Sequence, residues 1–328
     1  MTKIELFELL RNDENSSVEF KRDAVENHEL AKEIVAFFIR AGSTSREASR
    51  EELERIFQAS GRVQYGLKPV PGATPDDLDR RRLHDCFLRV LGGSGPDNAA
   101  MQEWERLLRN LDLMTVPSGQ AVPTIDGMLL FGRALNRFLP QSGIRALCYP
   151  GATPDYATHA DETLKGPLVP LCGTDGSISE SCLVEQALDF VNRNTEPTAH
   201  LESGPRIDRP TYPATVLREA IVNALVHRDY SIAGSDIMLT IYSDRVEIQS
   251  PGRLPNTVTL EGMRAGMRYA RNQTLVNVMR DYRYVDFRGM GVREKIIPGM
   301  LAHNGTEPDL IAEENRFTIR LWKGLQQS

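Results

Sequence analysis

The 328-residue sequence has few cysteines and aromatic residues and no long hydrophobic run. Its four cysteines, Cys86, Cys148, Cys172 and Cys182, are scattered and form no Cys-x-x-Cys pair, which argues against a disulfide framework and a zinc site. No apolar stretch approaches the about 20 residues that a membrane-spanning helix needs. We therefore expect a cytoplasmic protein with reduced thiols and no membrane partner.

The sequence also lacks the G-x-x-x-x-G-K-[ST] loop that P-loop helicases need to hold phosphates, so helicase activity is not expected. Otherwise the composition is that of a globular protein, with 41% hydrophobic and 26% charged residues. This excludes wholesale disorder, collagen and coiled coil. The length predicts two domains with a small third piece.

The net charge of -6 is unevenly distributed along the chain. Residues 205–295 contain 14 lysines and arginines against 10 aspartates and glutamates, whereas the rest contains 25 basic and 35 acidic residues. A basic segment inside an acidic chain is typical of a site for an anionic ligand. Chance variation on solvated surfaces explains the imbalance equally well, so charge alone does not decide.

The most informative helix is predicted to follow Pro213, which suits a first helical turn. Its buried face is indicated by apolar residues at helical spacing: Leu217, Ala220, Ile221, Ala224 and Leu225. Glu219 and Asn223 are four residues apart on a different arc of the same helix, and His227 continues their row.

The Glu219–Asn223 pair has two interpretations. A carboxylate and an amide one turn apart often form only a solvated or hydrogen-bonded pair, worth about 0.2–0.5 kcal/mol. Alternatively, the amide oxygen is a ligand for Mg²⁺, which uses few protein oxygens. The carboxylate would then orient or deprotonate a water that attacks a metal-bound phosphate.

The order of elements after this helix favours the second interpretation. Residues 237–248 predict a β-hairpin that ends in a tight bend at Ser250-Pro251-Gly252. The sequence Gly289-Met290-Gly291 precedes a helix, and glycines in that position let backbone N–H groups approach phosphate oxygens. A single Gly-x-Gly is usually only a turn. Here, however, it follows the helix that carries Glu219 and Asn223, the predicted hairpin and the tight bend. Residues 317–321 predict a last strand.

Residues 217–231, Leu-Arg-Glu-Ala-Ile-Val-Asn-Ala-Leu-Val-His-Arg-Asp-Tyr-Ser, resemble the signature of bacterial Schlafen AlbA-type proteins with a divergent GHKL (Bergerat) ATPase module. Members of this family are labelled predicted transcriptional regulators or RecG-like helicases. Ser250-Pro251-Gly252, Arg271-Asn272 and Gly289-Met290-Gly291 resemble its later motifs. The similarity covers nearly the whole chain.

The resemblance implies ATP and Mg²⁺ as ligands, with Glu219 as the catalytic residue that positions water and Asn223 as the metal ligand. The nucleotide would be held by Asn223, Ser250, Gly252, Arg271, Gly289 and Gly291. Gly252 would form the adenine-side bend and Gly289 and Gly291 the phosphate loop, while the segment between Arg271 and Gly289 would form a lid. A surface ion pair is the alternative role for Arg271. The His227-Arg228-Asp229 cluster is expected to be structural.

One departure from the family concerns the residue that recognises the adenine base of the nucleotide. In the wider GHKL superfamily an aspartate precedes the first glycine bend and accepts a hydrogen bond from the adenine amine, whereas this chain has Ser250-Pro251. A serine accepts such a bond without the charge, at about half the strength. The sequence therefore leaves open which nucleotide binds and whether it is hydrolysed.

A second departure concerns the N-terminal segment. Residues 18–21 alternate apolar and charged side chains, which predicts a strand. This strand and a predicted helix over residues 30–38 resemble the start of the AlbA domain, and residues 39–48 resemble its end. The strand-bearing middle of that domain is missing, along with most of the sheet proposed to contact DNA. An exposed sheet edge left in this way would favour a homodimer.

We therefore expect an α/β (α+β) fold with a truncated AlbA-like segment over residues 1–50, a mixed α/β region over 51–204 and a GHKL-type α/β sandwich over 205–324. The expected function is that of an ATP-binding protein, a Mg-ATP switch or slow ATPase acting in transcriptional regulation. The alternative is a DNA-binding transcriptional regulator whose GHKL-like module is a non-hydrolysing scaffold.

Overall fold

The computed structural model describes residues 18–20, 37–41, 44–47, 49, 64–90, 92, 95–96, 100–173, 175–196, 198–200, 207–255, 258–267, 269–286 and 291–324. The chain divides into two compact units between Val63 and Gln64.

The first unit contains a three-stranded antiparallel sheet in the order β1-β2-β3. Its strands are β1 (Val18–Phe20), β2 (Phe37–Ala41) and β3 (Thr44–Glu47). The strand predicted from residue 18 is therefore confirmed. The predicted helix over residues 30–38 is wrong at its end, because Phe37 and Phe38 belong to β2; residues 30–36 lie outside the described part of the chain.

The second unit combines helices and short strands. Its α-helices, over the described residues, are α1 (Arg80–Val90), α2 (Met101–Asn110), α3 (Ile125–Phe131), α4 (Leu135–Phe138), α5 (Leu183–Arg193), α6 (Ala214–Val226), α7 (Leu260–Ala265), α8 (Gln273–Asp281) and α9 (Ile297–Asn304). A π-helical turn, Val292–Ile296, leads into α9. Short 3₁₀ turns lie at Tyr65–Leu67, Pro75–Asp77, Pro117–Gly119 and Pro140–Ser142.

The strands of the second unit are β4 (Met114–Thr115), β5 (Val122–Pro123), β6 (Ile144–Cys148), β7 (Ala160–Leu164), β8 (Leu171–Cys172), β9 (Ile178–Glu180), β10 (Thr198–His200), β11 (Ile207–Arg209), β12 (Ile237–Ile241), β13 (Arg245–Pro251), β14 (Asp309–Ala312) and β15 (Arg316–Trp322). Six of them form one sheet in the order β14-β15-β13-β12-β6-β7, and the others pair in twos. The mixture of helices around this sheet confirms the α/β fold class.

The six-stranded sheet is antiparallel except where β6 and β12 run parallel, with Ala146 opposite Leu239. The predicted hairpin is confirmed as β12 and β13, with Ile241 opposite Val246. Strand β6 precedes residue 205 and β12 follows it, so the sheet takes strands from both sides of the domain boundary that the sequence led us to expect.

Helix α6 packs on one face of this sheet and fixes the position of the candidate site. Most of its circumference is apolar, and the predicted buried residues Leu217, Ala220, Ile221 and Leu225 are each at most 1% exposed. The helix contacts α5, β13, the π-helical turn and α9. Its alternating neighbours on β13, Val246 and Ile248, are also buried.

Among the residues that the structure describes, no helix combines the length and the apolar character that crossing a membrane requires.

Candidate functional site

A pocket opens between the C-terminal half of α6, the end of β13 and the segment that follows it. The space between these segments, counted out to its open mouth, is about 930 Å³. Its walls are formed by Asn223, Ala224, His227, Ile248, Ser250, Gly252, Arg253, Leu254, Pro255, Val258, Met263, Met267, Tyr269, Arg271, Gly291, Val292, Phe317 and Ile319. The pocket thus brings together Asn223, Ser250, Gly252, Arg271 and Gly291, five of the predicted site residues.

The lining is mostly apolar, and none of its described residues carries a carboxylate. Ile248, Ile319 and Phe317 come from the sheet, while two methionines and Val258 come from the segment after the bend. Such a surface suits a flat hydrophobic ring system, with polar groups confined to a few positions. The exposed Arg253 adds a positive charge to the wall.

Glu219 and Asn223 meet as their four-residue spacing predicts. The Asn223 amide nitrogen donates to Glu219 Oε1 over 3.4 Å. Because this bond uses the amide nitrogen, the amide oxygen is the end of Asn223 that is left for a ligand. Asn223 lines the pocket, whereas Glu219 is 5% exposed and lies behind the wall.

Glu219 is also held by a cation. Lys295 Nζ lies 3.2 Å from Glu219 Oε2 and 2.8 Å from Asp286 Oδ2. Burial raises the pKa of the Glu219 carboxyl, and the attraction of Lys295 offsets only part of that effect. Burial alone would lower the pKa of Lys295, but the hydrogen bond that Lys295 donates to Asp286 and the charge of Glu219 leave its pKa raised.

Gly291 lies directly over the Glu219 carboxylate. A Cβ atom added to Gly291 would overlap the carboxylate, so no other residue fits there without displacement. Gly291 also lines the pocket. The other predicted loop glycine, Gly289, lies outside the described residues.

Ser250 also lines the pocket and is 6% exposed. Its hydroxyl donates to the carbonyl of Ala224 on α6 over 2.8 Å. The bond ties the end of β13 to the helix that carries Asn223. Since the hydroxyl hydrogen is used, the oxygen of Ser250 can act toward a ligand only as an acceptor.

The bend at Gly252 requires glycine for two reasons. Its φ of +114° lies in the region that side chains avoid. A Cβ at this position would also come within 2.6 Å of Asp229 Cβ. The bend therefore brings the backbone against Asp229 and leaves the pocket open beside it.

Arg271 does not point a free charge into the pocket. Its Nη1 donates to Asp229 Oδ2 over 2.8 Å, and its Nη2 donates to the carbonyl of Arg253. The two side chains are only 7% and 14% exposed, so the pair is largely shielded from water. Arg271 thereby joins the start of α8 to the bend.

The expectation that the His-Arg-Asp cluster is structural agrees with its contacts. Arg228 is completely buried and donates to the carbonyls of Asp229, Ile232 and Ser235. The hydroxyl of Tyr230 donates to the carbonyl of Leu225. These bonds fix the loop that follows α6 and hold Asp229 against the bend.

His227 lies in the pocket wall, one turn beyond Asn223. Burial, together with the positive charge of Arg271, lowers the pKa of its imidazole to about 4. The ring is therefore neutral at pH 7 and presents a polar but uncharged group to the pocket.

The segment expected to form a lid contains a packed helix. Leu275 and Met279 of α8 are completely buried. The pocket wall also includes seven residues that were not predicted as site residues: Arg253, Leu254, Pro255, Val258, Met263, Met267 and Tyr269. Lys295 and Asp286 were also missed, and the only sequence signal for Lys295 was its place in the helix after the glycine motif.

The described residues contain no group of three or more histidine, cysteine, aspartate or glutamate side chains that could hold a metal ion. A magnesium ion at Asn223 would take most of its ligands from phosphate and water, which is how Mg²⁺ binds together with nucleotides.

Residues 234–321 match a family model, HATPase_c_4, described as "Putative ATP-dependent DNA helicase recG C-terminal". The matched range includes Ser250, Gly252, Arg271 and Gly291 but begins after Glu219 and Asn223. Comparison with curated proteins gave no match.

The fold is similar to the crystal structure of the DIP2311 protein from Corynebacterium diphtheriae, with a TM-score of 0.55 and 23% sequence identity. The similarity covers 88% of this chain and 54% of that chain, so this chain spans about half the length of the DIP2311 protein. At this identity the likeness shows the fold alone. Residues 234–321 are thus similar to the family described as the C-terminal region of a putative ATP-dependent DNA helicase, RecG.

Proposed function

We propose that the pocket binds a Mg-nucleotide, with ATP as the first candidate. The proposal is supported above all by one juxtaposition: the amide of Asn223 and the backbone of Gly291 both line an open, mostly apolar pocket. The apolar side suits a nucleobase, and the side with Asn223 and Gly291 suits phosphates and their magnesium ion. The HATPase_c_4 match agrees with a nucleotide as the ligand.

The residues present fit the proposed ligand, but the site offers only a weak hydrogen-bond acceptor to the nucleobase. Asn223 offers an amide oxygen for Mg²⁺, and Gly291 brings main chain to the pocket without a side chain. Ser250 offers one neutral acceptor for an exocyclic amine, where a carboxylate would bind more strongly. We therefore expect weaker discrimination between ATP and other nucleoside triphosphates than an aspartate would give.

Glu219 is proposed as the general base of a slow hydrolysis. It would accept the proton of a water whose oxygen bonds to the terminal phosphorus while the bond from that phosphorus to the bridging oxygen breaks. The products would be a nucleoside diphosphate and inorganic phosphate. The raised pKa of Glu219 moves its basicity toward the working pH, as general-base catalysis requires. DNA binding and a role in transcriptional regulation stay predictions from the sequence.

Thermal unfolding with and without nucleotide tests the proposal. At 100 times the dissociation constant, bound Mg-ATP is expected to stabilise the native state by about 2.7 kcal/mol and so raise the Tm. Asn223→Ala should abolish the rise, and omission of Mg²⁺ should reduce it. Asn277→Ala, at an exposed position of α8, is the matched control and should keep the full shift. If neither ATP nor the other common nucleoside triphosphates move the Tm of the wild-type chain, the proposal fails.

A further inference from the structure

A row of four side chains leads away from the pocket, beginning at the lining residue Asn223. Asp286 contacts Lys295, Lys295 contacts Glu219 Oε2, and Glu219 Oε1 accepts from Asn223, with separations of 2.8, 3.2 and 3.4 Å. Both oxygens of the Glu219 carboxylate therefore have a donor, one on each side. A carboxylate held at both oxygens keeps one orientation, which a group that must meet a reacting water needs.

The burial of these groups makes the contact with Lys295 important. The Glu219 side chain is only 6% exposed, whereas those of Lys295 and Asp286 are 34% and 51% exposed. A buried carboxylate without a cation is costly, so Glu219 would turn or draw in water if Lys295 were removed. Lys295 itself is accessible enough to stay charged and hydrated without Glu219.

The backbone around Lys295 is unusual in a way that favours this contact. Lys295 lies in the π-helical turn Val292–Ile296, which begins directly after Gly291. Wide turns of this kind often occur at functional sites, since they redirect side chains that an α-helix would place elsewhere. Gly291 removes the side chain that would otherwise separate the turn from the Glu219 carboxylate.

We propose that Lys295 is a positioning residue for Glu219 and that Asp286 in turn holds Lys295. The inference rests on the proposed function, because Glu219 needs positioning only if it serves a reaction in the pocket. Lys295 touches neither the pocket nor the proposed ligand in this arrangement; it acts through the carboxylate. Asp286 and Lys295 precede and follow Gly291 in sequence, so the row also joins the two flanks of the glycine segment.

The first test uses the ligand-free protein at a single pH. The Tm is measured for the wild type, Lys295→Met, Glu219→Gln and the double variant. If Lys295 holds Glu219, Lys295→Met should lower the Tm in the wild-type background and have a much smaller effect in the Glu219→Gln background. Equal effects in both backgrounds would overturn the contact on which the inference rests.

The second test separates positioning from simple stabilisation. Lys295→Met is expected to lower the kcat of Mg-ATP hydrolysis about 10- to 100-fold. The KM should change less than about threefold, and nucleotide should still raise the Tm of the variant. Lys295→Arg keeps the cation and should restore most of the kcat. Lys323→Met, which removes a lysine at the far end of β15 from the pocket residue Phe317, should leave the kcat unchanged.

The outcomes distinguish a failure of the role proposed for Lys295 from a failure of the proposed function. If nucleotide does not raise the Tm of the wild-type chain, the proposed function fails. If nucleotide binds but the wild type does not hydrolyse it, the roles of Glu219 and Lys295 are both overturned while nucleotide binding stands. If the wild type hydrolyses nucleotide and Lys295→Met keeps its kcat, only the role of Lys295 is overturned. A loss of kcat that Lys295→Arg does not restore would likewise contradict a positioning cation.

Discussion

The Glu219 carboxylate occupies the space that a side chain at residue 291 would need. The backbone of Gly291, with φ -55° and ψ -40°, is ordinary right-handed helix that any residue adopts. Conformational freedom is therefore not the reason for glycine at this position. The reason is the close approach of the carboxylate, which links the glycine to the proposed base.

This relationship predicts the effect of Gly291→Ala. The added methyl group should displace Glu219 or the glycine segment, lower the Tm and abolish the Mg-ATP shift. Combining Gly291→Ala with Glu219→Ala removes the obstacle, so the double variant should be more stable than Gly291→Ala alone. Differential scanning fluorimetry measures all three variants.

Gly234 provides the control for this experiment. An added Cβ at Gly234 meets no atom within 4 Å, so Gly234→Ala should leave the Tm and the nucleotide shift unchanged. If Glu219→Ala fails to recover stability in the Gly291→Ala background, the carboxylate is not what excludes a side chain there.

A second prediction concerns Arg271, which has a structural partner in Asp229. Arg271→Met leaves the poorly exposed Asp229 carboxylate without its cation and should destabilise the protein by about 3–5 kcal/mol in urea unfolding. Adding Asp229→Asn should recover part of the loss. Arg316→Met breaks an exposed pair with Glu313 and should change the free energy of unfolding by at most about 1 kcal/mol.

The same variants decide between the two roles that the sequence left open for Arg271. If Arg271→Met unfolds at the wild-type urea concentration but no longer responds to Mg-ATP, Arg271 is a phosphate ligand. If it is destabilised and the remaining folded protein still binds nucleotide, the pair with Asp229 is its main role.

Local patterns in the sequence were enough to predict the elements that carry the site. The apolar spacing in α6, the alternation in β13 and the four-residue spacing of Glu219 and Asn223 each follow from the geometry of a single element. The tight bend at Gly252 was likewise predictable from its Pro-Gly sequence.

Contacts between distant segments were not predictable in the same way. Lys295 and Glu219 are 76 residues apart, and Arg271 and Asp229 are 42 apart. No periodicity connects such pairs, since they depend on how α6, the bend and the π-helical turn pack together. The parallel pairing of β6 with β12 is of the same kind, because the intervening chain contains other strands and helices.

A last prediction concerns Asp126, a buried acid away from the predicted site residues. It lies in the first turn of α3, is 1% exposed, and its Oδ1 has no hydrogen-bond partner among the described residues. Burial and the neighbouring charge of Asp112 raise its pKa to about 7.

The sign of the pH effect follows from this shift. The folded protein binds a proton at Asp126 more tightly than the unfolded chain, whose aspartate has a pKa near 3.8. Its contribution to stability is therefore complete below about pH 4 and is lost as the pH rises through 7, on the order of 4 kcal/mol over the whole range.

Asp126→Asn tests this effect, because the asparagine stays neutral and the variant lacks the loss. The free energy of unfolding of the variant minus that of the wild type should therefore increase between pH 5 and 8.5. Urea unfolding at several pH values measures the difference, with Asp155→Asn, at an exposed position, as the control. A difference that stays constant across this range would mean that Asp126 is already ionised at pH 5 in the folded protein.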